Sequence, residues 1–123
     1  MNRKFFICNH CGNIITFAEN AGAPVSCCGE AMTELRPNTV DAAVEKHVPV
    51  VKQNGNNVKI CIGEVNHPMT QEHSITWIAL DAGDTLYLKN LTPENPPEAE
   101  FLLSEGTEFT AYAYCNLHGL WKK

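Results

Sequence analysis

The amino-acid sequence predicts a mainly β chain in two parts, a small metal-stapled module followed by an antiparallel β-sandwich. Three observations carry this. Four of the six cysteines, Cys8, Cys11, Cys27 and Cys28, fall in the first quarter of the 123 residues, in a stretch too poor in apolar residues to fold unaided. Beyond about residue 40, short runs of β-branched and aromatic residues recur between turn signals. No stretch carries the periodicity of a long helix, and no internal repeat or low-complexity segment breaks the pattern.

The first part spans residues 1–36. Its main apolar residues are Phe5, Phe6, Ile7, Ile14, Ile15 and Phe17, interrupted by Gly12, Gly22, Pro24 and Gly29. Residues 37–41 read as a linker, because Arg36-Pro37-Asn38-Thr39 favours an extended or turning chain. The second part spans residues 42–123. Asp41 to Lys46 predicts one brief helical turn. Strands are then expected where Val58, Ile60 and Ile62 alternate with Lys59, Cys61 and Gly63, at Ile75 to Leu80, at Leu86 to Leu88, and at Phe109 to Tyr114. Asn54-Gly55, Asp81-Ala82-Gly83-Asp84 and the stretch from Pro93 through Pro97 supply the turns between them. Short strands at this spacing predict a sandwich.

Composition narrows the function. A hydrophobic share of 44% supports a core, while the net charge of −5 argues against nucleic-acid binding and against docking to anionic membranes. The apolar runs are too short to span a bilayer. Met1 to Cys8 contains Arg3 and Lys4 but no apolar signal-peptide core, so a cytoplasmic chain is expected. In that setting an even number of cysteines points to metal rather than disulfides.

Cys8-Asn9-His10-Cys11 is a chelate whose turn aims both sulfurs at one ion, and Cys27-Cys28 completes a tetrahedral set. Four thiolates suit zinc or iron, and ligand type alone does not choose. Adjacent cysteines normally diverge, so Cys27 and Cys28 require a distorted tetrahedron or a turn that reunites them. A redox pair at Cys8 and Cys11 is disfavoured because no βαβ pattern surrounds it. His10 lies between two ligands, and with four thiols filling the site it is expected to be solvated.

Four of the five histidines lie in the second part: His47 in Glu45-Lys46-His47-Val48-Pro49, His67 and His73 in a single seven-residue run, and His118 in Cys115-Asn116-Leu117-His118-Gly119. Each alone is unremarkable; together they sit at strand ends or loops, where a β-scaffold converges side chains. Four imidazoles and a thiolate exceed what zinc takes in a structural or catalytic site. They suit a square-pyramidal iron with one open position, and a thiolate opposite that position would push electron density toward a bound molecule. Such a site fits one-electron chemistry on a small oxygen species.

These motifs together resemble desulfoferrodoxin, the two-iron form of superoxide reductase, over almost the whole chain. The Cys-x-x-Cys and Cys-Cys pairs look like desulforedoxin. Glu-Lys-His-x-Pro, His-Pro-Met-x-x-x-His and Cys-Asn-x-His-Gly look like the catalytic module, with no ligand missing. The resemblance implies a rubredoxin/desulforedoxin-like module followed by an immunoglobulin-like sandwich, two iron ions per chain and a homodimer. It implies an iron held by Cys8, Cys11, Cys27 and Cys28 and a second held by His47, His67, His73 and His118 in a plane, with Cys115 axial. Superoxide would be reduced by one electron to hydrogen peroxide without release of dioxygen, and an outside donor such as rubredoxin would restore the iron. The first iron would serve electron transfer.

Two further residues gain roles from this resemblance. Lys46 would supply the local positive field that an anionic chain needs to attract superoxide, and would orient a proton-donating water. Glu45 would occupy the open position in the resting state and help displace the product. Two rivals stand beside this reading: an electron carrier run by the four-cysteine iron, and a zinc-stabilised binding module. The intact Glu45-Lys46-His47 run and the Cys115–His118 pair favour the enzyme. Cys61 is expected to be a packed free thiol, Trp77 and Trp121 core or rim aromatics near the iron, and Lys122-Lys123 a solvated tail. The sequon Asn90-Leu91-Thr92 carries no weight in a cytoplasmic chain.

Overall fold

The computed structural model describes residues 2–123, which divide into two compact units, Asn2–Arg36 and Pro37–Lys123. In the first, β1 (Phe5–Ile7) is the centre of a three-stranded antiparallel sheet between β2 (Ile14–Thr16) and β5 (Thr33–Leu35). A hairpin of β3 (Ser26–Cys27) and β4 (Glu30–Ala31) presents the second cysteine pair. Phe6 and Phe17 meet edge to face at 5.4 Å, and Phe5 and Cys8 are buried. The unit's apolar core is small, as the sequence leads one to expect of a metal-stapled module.

The second unit is a sandwich of two antiparallel sheets. One has the order β10–β7–β6, from β6 (Pro49–Asn54), β7 (Asn57–Ile62) and β10 (Glu98–Leu102). The other has the order β12–β11–β8–β9, from β8 (Ile75–Asp81), β9 (Leu86–Asn90), β11 (Thr110–Cys115) and β12 (Gly119–Lys122). Val58, Ile60 and Ile62 point from β7 into a common core with Ile75, Ile78, Leu80, Ala111 and Ala113 of the facing sheet. The alternation in β7 places Cys61 on the opposite face. It is therefore not a packed core thiol: half-buried, it lies 3.8 Å from Glu98 Oε2, which also pairs with Lys59 at 3.1 Å.

The single helix among the described residues, α1, spans Val44–His47, later than the expected Asp41–Lys46. Ala43 at its N-cap is extended, and Pro49 holds Val48 extended and stops the helix at His47. The Lys122-Lys123 end is not a solvated tail. Lys122 belongs to β12, and the Lys123 backbone exchanges two hydrogen bonds with Ala111, at 2.9 and 3.1 Å. Asn38, with φ of 60°, closes the start of this unit onto β12: its Oδ1 accepts from the Lys122 N–H at 2.9 Å and its own N–H donates to Leu120 O at 3.0 Å. No helix among the described residues is long and apolar enough to cross a membrane.

One irregularity bears on the site. Tyr114 pairs with Trp77 but Cys115 pairs with Ile75, so Thr76 is an extra residue in β8. Bulges of this kind re-aim a side chain at the end of a strand, and the residue affected here is Cys115, fully buried at the end of β11.

Candidate metal centres

The thiols of Cys8, Cys11, Cys27 and Cys28 lie within 4.8 Å of one another. The first pair is shaped by a tight turn: Cys8 N–H donates to Asn13 O at 2.8 Å, Gly12 N–H to Cys8 O at 2.9 Å, and Cys11 N–H to Cys8 Sγ at 3.5 Å. The second pair converges because Cys28 takes the left-handed conformation, φ 54°, followed by Gly29 at φ 78°. Of the two solutions open to adjacent cysteines, the chain uses the turn. Cys27 Sγ ends 3.7 Å from Cys11 Sγ and accepts from Asn13 Nδ2 at 3.7 Å.

The thiols are electrostatically unequal. Backbone N–H groups of Cys11 and His10 stabilise the Cys8 thiolate and lower its pKa to about 6. Cys28, crowded by the Cys11 and Cys8 sulfurs, is pushed up to about 12. Four sulfurs brought this close together are a set completed by a cation that holds them as thiolates. His10 turns outward to Glu30 at 3.0 Å, exposed, as expected of a residue outside the set.

In the second unit the ligand atoms of His47, His67, His73, Cys115 and His118 also lie within 4.8 Å of one another. The rings form a square. Successive pairs His47–His67, His67–His73, His73–His118 and His118–His47 have centroids 4.7, 4.6, 5.1 and 4.8 Å apart, at interplanar angles of 76°, 82°, 75° and 88°. His47 and His73 occupy opposite corners at 6.4 Å. Cys115 Sγ lies 3.7 Å from His118 Nδ1.

Backbone carbonyls select the tautomers. His47 Nδ1 is 2.6 Å from Ala43 O and His67 Nδ1 is 2.7 Å from Pro68 O, so both carry their proton there and leave Nε2 free. The two Nε2 atoms face each other at 3.2 Å, His47 Nε2 faces His118 Nδ1 at 3.1 Å, and His73 Nε2 is buried without a partner. Lone pairs turned on one another in a buried space fit a bound cation. Burial holds the His67 pKa down to about 4 and lowers those of His47 and His73, so neutral donors are presented. Burial raises the Cys115 thiol against the backbone N–H groups of Leu117 and His118, which favour its thiolate. A metal that displaces the thiol proton would use those same bonds.

Glu45 and Lys46 are exposed on α1 immediately before His47. The Lys46 charge disfavours protonation of both His47 and His73, opposite corners of the square. The sequence placed Trp121 near the centre, as found, but not its contacts, and the other supports were not recognised. Trp121 stacks on His47 at 4.9 Å and its Nε1–H donates to His118 O at 3.1 Å. Asn116 ties the His73 loop to the Cys115 loop, accepting from Ser74 N–H and donating to Glu72 O, both at 3.0 Å. Thr70 Oγ1 accepts from His73 N–H at 3.0 Å. Asn116 lies inside the Cys-Asn-x-His motif, which was the available signal for it.

A β-sandwich with a four-imidazole, one-thiol cluster, preceded by a four-thiol module, defines a metalloprotein of the non-haem, two-site kind. The desulfoferrodoxin family model matches residues 39–123. The chain is 44% identical over 119 residues to desulfoferrodoxin of Nitratidesulfovibrio vulgaris, covering 97% of this chain and 94% of that one. It therefore belongs to the desulfoferrodoxin family. Among solved structures, the superoxide reductase from Treponema pallidum aligns with a TM-score of 0.81 at 38% identity, covering 100% of this chain and 99% of that one. A one-iron superoxide reductase from Giardia intestinalis aligns with a TM-score of 0.56 at 35% identity, covering 64% of this chain and 95% of that one.

Proposed function

We propose that this protein is a superoxide reductase, converting superoxide to hydrogen peroxide at an iron held by His47, His67, His73, His118 and Cys115. The observation that carries the reading is the square of four rings with a buried fifth thiol. Five nitrogen and sulfur donors exceed zinc's usual four, and imidazole with thiolate suits iron that cycles between two oxidation states. Iron bound there supplies the single electron that superoxide takes up; two protons complete hydrogen peroxide.

The chain's residues do the rest. Lys46, beside His47 in a chain of net charge −5, attracts the anion and holds a proton-donating water. With iron bound, Glu45, exposed on α1 two residues before His47, would shield the centre and help displace product. The Leu117 and His118 N–H groups moderate the charge of the Cys115 sulfur. Trp121 covers one face of His47 and excludes water from it.

The module of residues 1–36, through Cys8, Cys11, Cys27 and Cys28, holds a second iron that serves electron transfer, joined by the linker 37–41 to the catalytic sandwich of residues 42–123. A rubredoxin-like donor and a homodimer complete the reading, supported by family membership. The test is product balance: reduced protein mixed anaerobically with superoxide should give peroxide equal to the superoxide consumed. Dioxygen release would mark dismutation and refute the assignment.

A further inference from the structure

Helix α1 is a single turn, too short to hold its own direction, and its N-cap makes no side-chain bond. Yet it carries Glu45, Lys46 and His47 in succession. What fixes it is the turn that follows β7. Gly63 N–H donates to Val48 O at 3.2 Å and Val65 N–H donates to Glu45 O at 2.9 Å. The same turn runs on to His67, whose N–H donates to Ile62 O at 3.3 Å.

Between the two straps Gly63 lies against the α1 backbone with no room for a side chain. A Cβ there would stand 2.5 Å from Val65 O, 2.6 Å from Glu45 O and 2.7 Å from the Lys46 carbonyl carbon. All three are backbone atoms and cannot swing aside. Gly83 has a comparable φ, 91° against 83°, but nothing within 4 Å of its Cβ position. Crowding against the Glu45–Lys46 backbone, beyond the left-handed conformation itself, therefore sets Gly63 apart.

We propose that Gly63 is a positioning residue for the five-donor centre. Its bare Cα lets α1 seat against the His67 loop, which fixes the spacing of His47 and His67 and, on the reading of Lys46 given above, holds that ammonium where it serves the substrate. The two ligand-bearing segments then move as one backbone-bonded piece.

The test compares Gly63→Ala with Gly83→Ala in the full cobalt-substituted chain under challenge by a chelator, scoring the absorption bands that a Cys115→Ser control lacks. Gly63→Ala should release cobalt from the five-donor site at about tenfold lower chelator concentration or less, with the four-thiol bands unmoved, while Gly83→Ala behaves as the native chain. In iron-loaded protein, Lys46→Ala should slow the reaction with superoxide in the native and Gly83→Ala backgrounds but change little in Gly63→Ala. Native cobalt retention with a full Lys46 effect in Gly63→Ala would overturn the proposal. Should Gly63→Ala not fold, Val65→Pro, which removes one strap and keeps Gly63, is scored in the same way. Absence of a Lys46→Ala effect in the native chain would remove the role given to Lys46, and the cobalt result would still decide the role of Gly63.

Discussion

The Nε2 atoms of His47 and His67 face each other at 3.2 Å, while each ring's Nδ1–H is spent on a backbone carbonyl, Ala43 O and Pro68 O. Neither ring can flip without giving up its backbone carbonyl, so both lone pairs stay committed to the centre. This arrangement has a cost that depends on pH and on metal.

Without metal, the depressed histidines make the folded state bind fewer protons than the unfolded one. Between the ordinary histidine value of 6.5 and the folded His67 value of about 4, the unfolded chain holds the extra proton, so stability is fully present above that window and falls as pH drops through it. His67, with the largest depression of the three, should account for most of the loss across the window. Urea unfolding of metal-free protein at neutral and mildly acidic pH measures this. A midpoint unchanged by acidification would contradict the neutral tautomers assigned to the square.

Lys46→Ala should leave iron bound and slow the second-order reaction with superoxide by about tenfold, with a weaker dependence on salt, because a local field at the mouth steers the anion. Lys46→Arg should retain most of the rate. Rapid mixing across a series of ionic strengths checks both. An unchanged rate and salt slope would refute steering by this residue.

Trp121 has two separable functions. Trp121→Phe keeps a ring against His47 but removes the donor to His118 O, and should cost about 1 kcal/mol of stability. Trp121→Ala empties a buried site and should cost about 3–5 kcal/mol, with loosened metal at the five-donor site. Thermal unfolding and metal retention distinguish the two.

Gly29→Val tests the first site. The left-handed pair Cys28-Gly29 brings adjacent sulfurs together, and a β-branched residue at φ 78° is strained by about 1–2 kcal/mol or more. The variant should lose metal from the four-cysteine site and keep it at the histidine site. Metal analysis that finds both sites full would show that this conformation is dispensable.

What the sequence made legible was the chemistry. Ligand types at short fixed spacings mark themselves, since few structures need Cys-x-x-Cys or four histidines with a further cysteine; that His47 sits on a helical turn rather than a strand end or loop was not foreseen. The strands with apolar alternation were legible too, as in β7, where Val58, Ile60 and Ile62 face the core. Strands without that signal were not read. In β10, Glu98 and Glu100 occupy alternate positions, and β12 ends in lysine; both depend on pairing with distant partners. The link from Asn38 to Lys122 spans 84 residues and leaves no local trace. Asn116 and Gly63 were obscure for the same reason, because their roles lie in contacts across the fold; Trp121 was placed near the centre, but its stacking on His47 was not legible.

The central claim is that superoxide reacts at the five-donor centre and nowhere else. Rapid mixing of reduced, iron-loaded protein with superoxide, followed at the thiolate-to-iron absorption of that centre, tests it most directly. The account predicts that this band appears at the rate at which superoxide disappears, and that both changes are lost in His118→Ala while the absorption of the four-cysteine site persists. Superoxide consumption that continues in His118→Ala, or that tracks oxidation of the four-cysteine site, would contradict it.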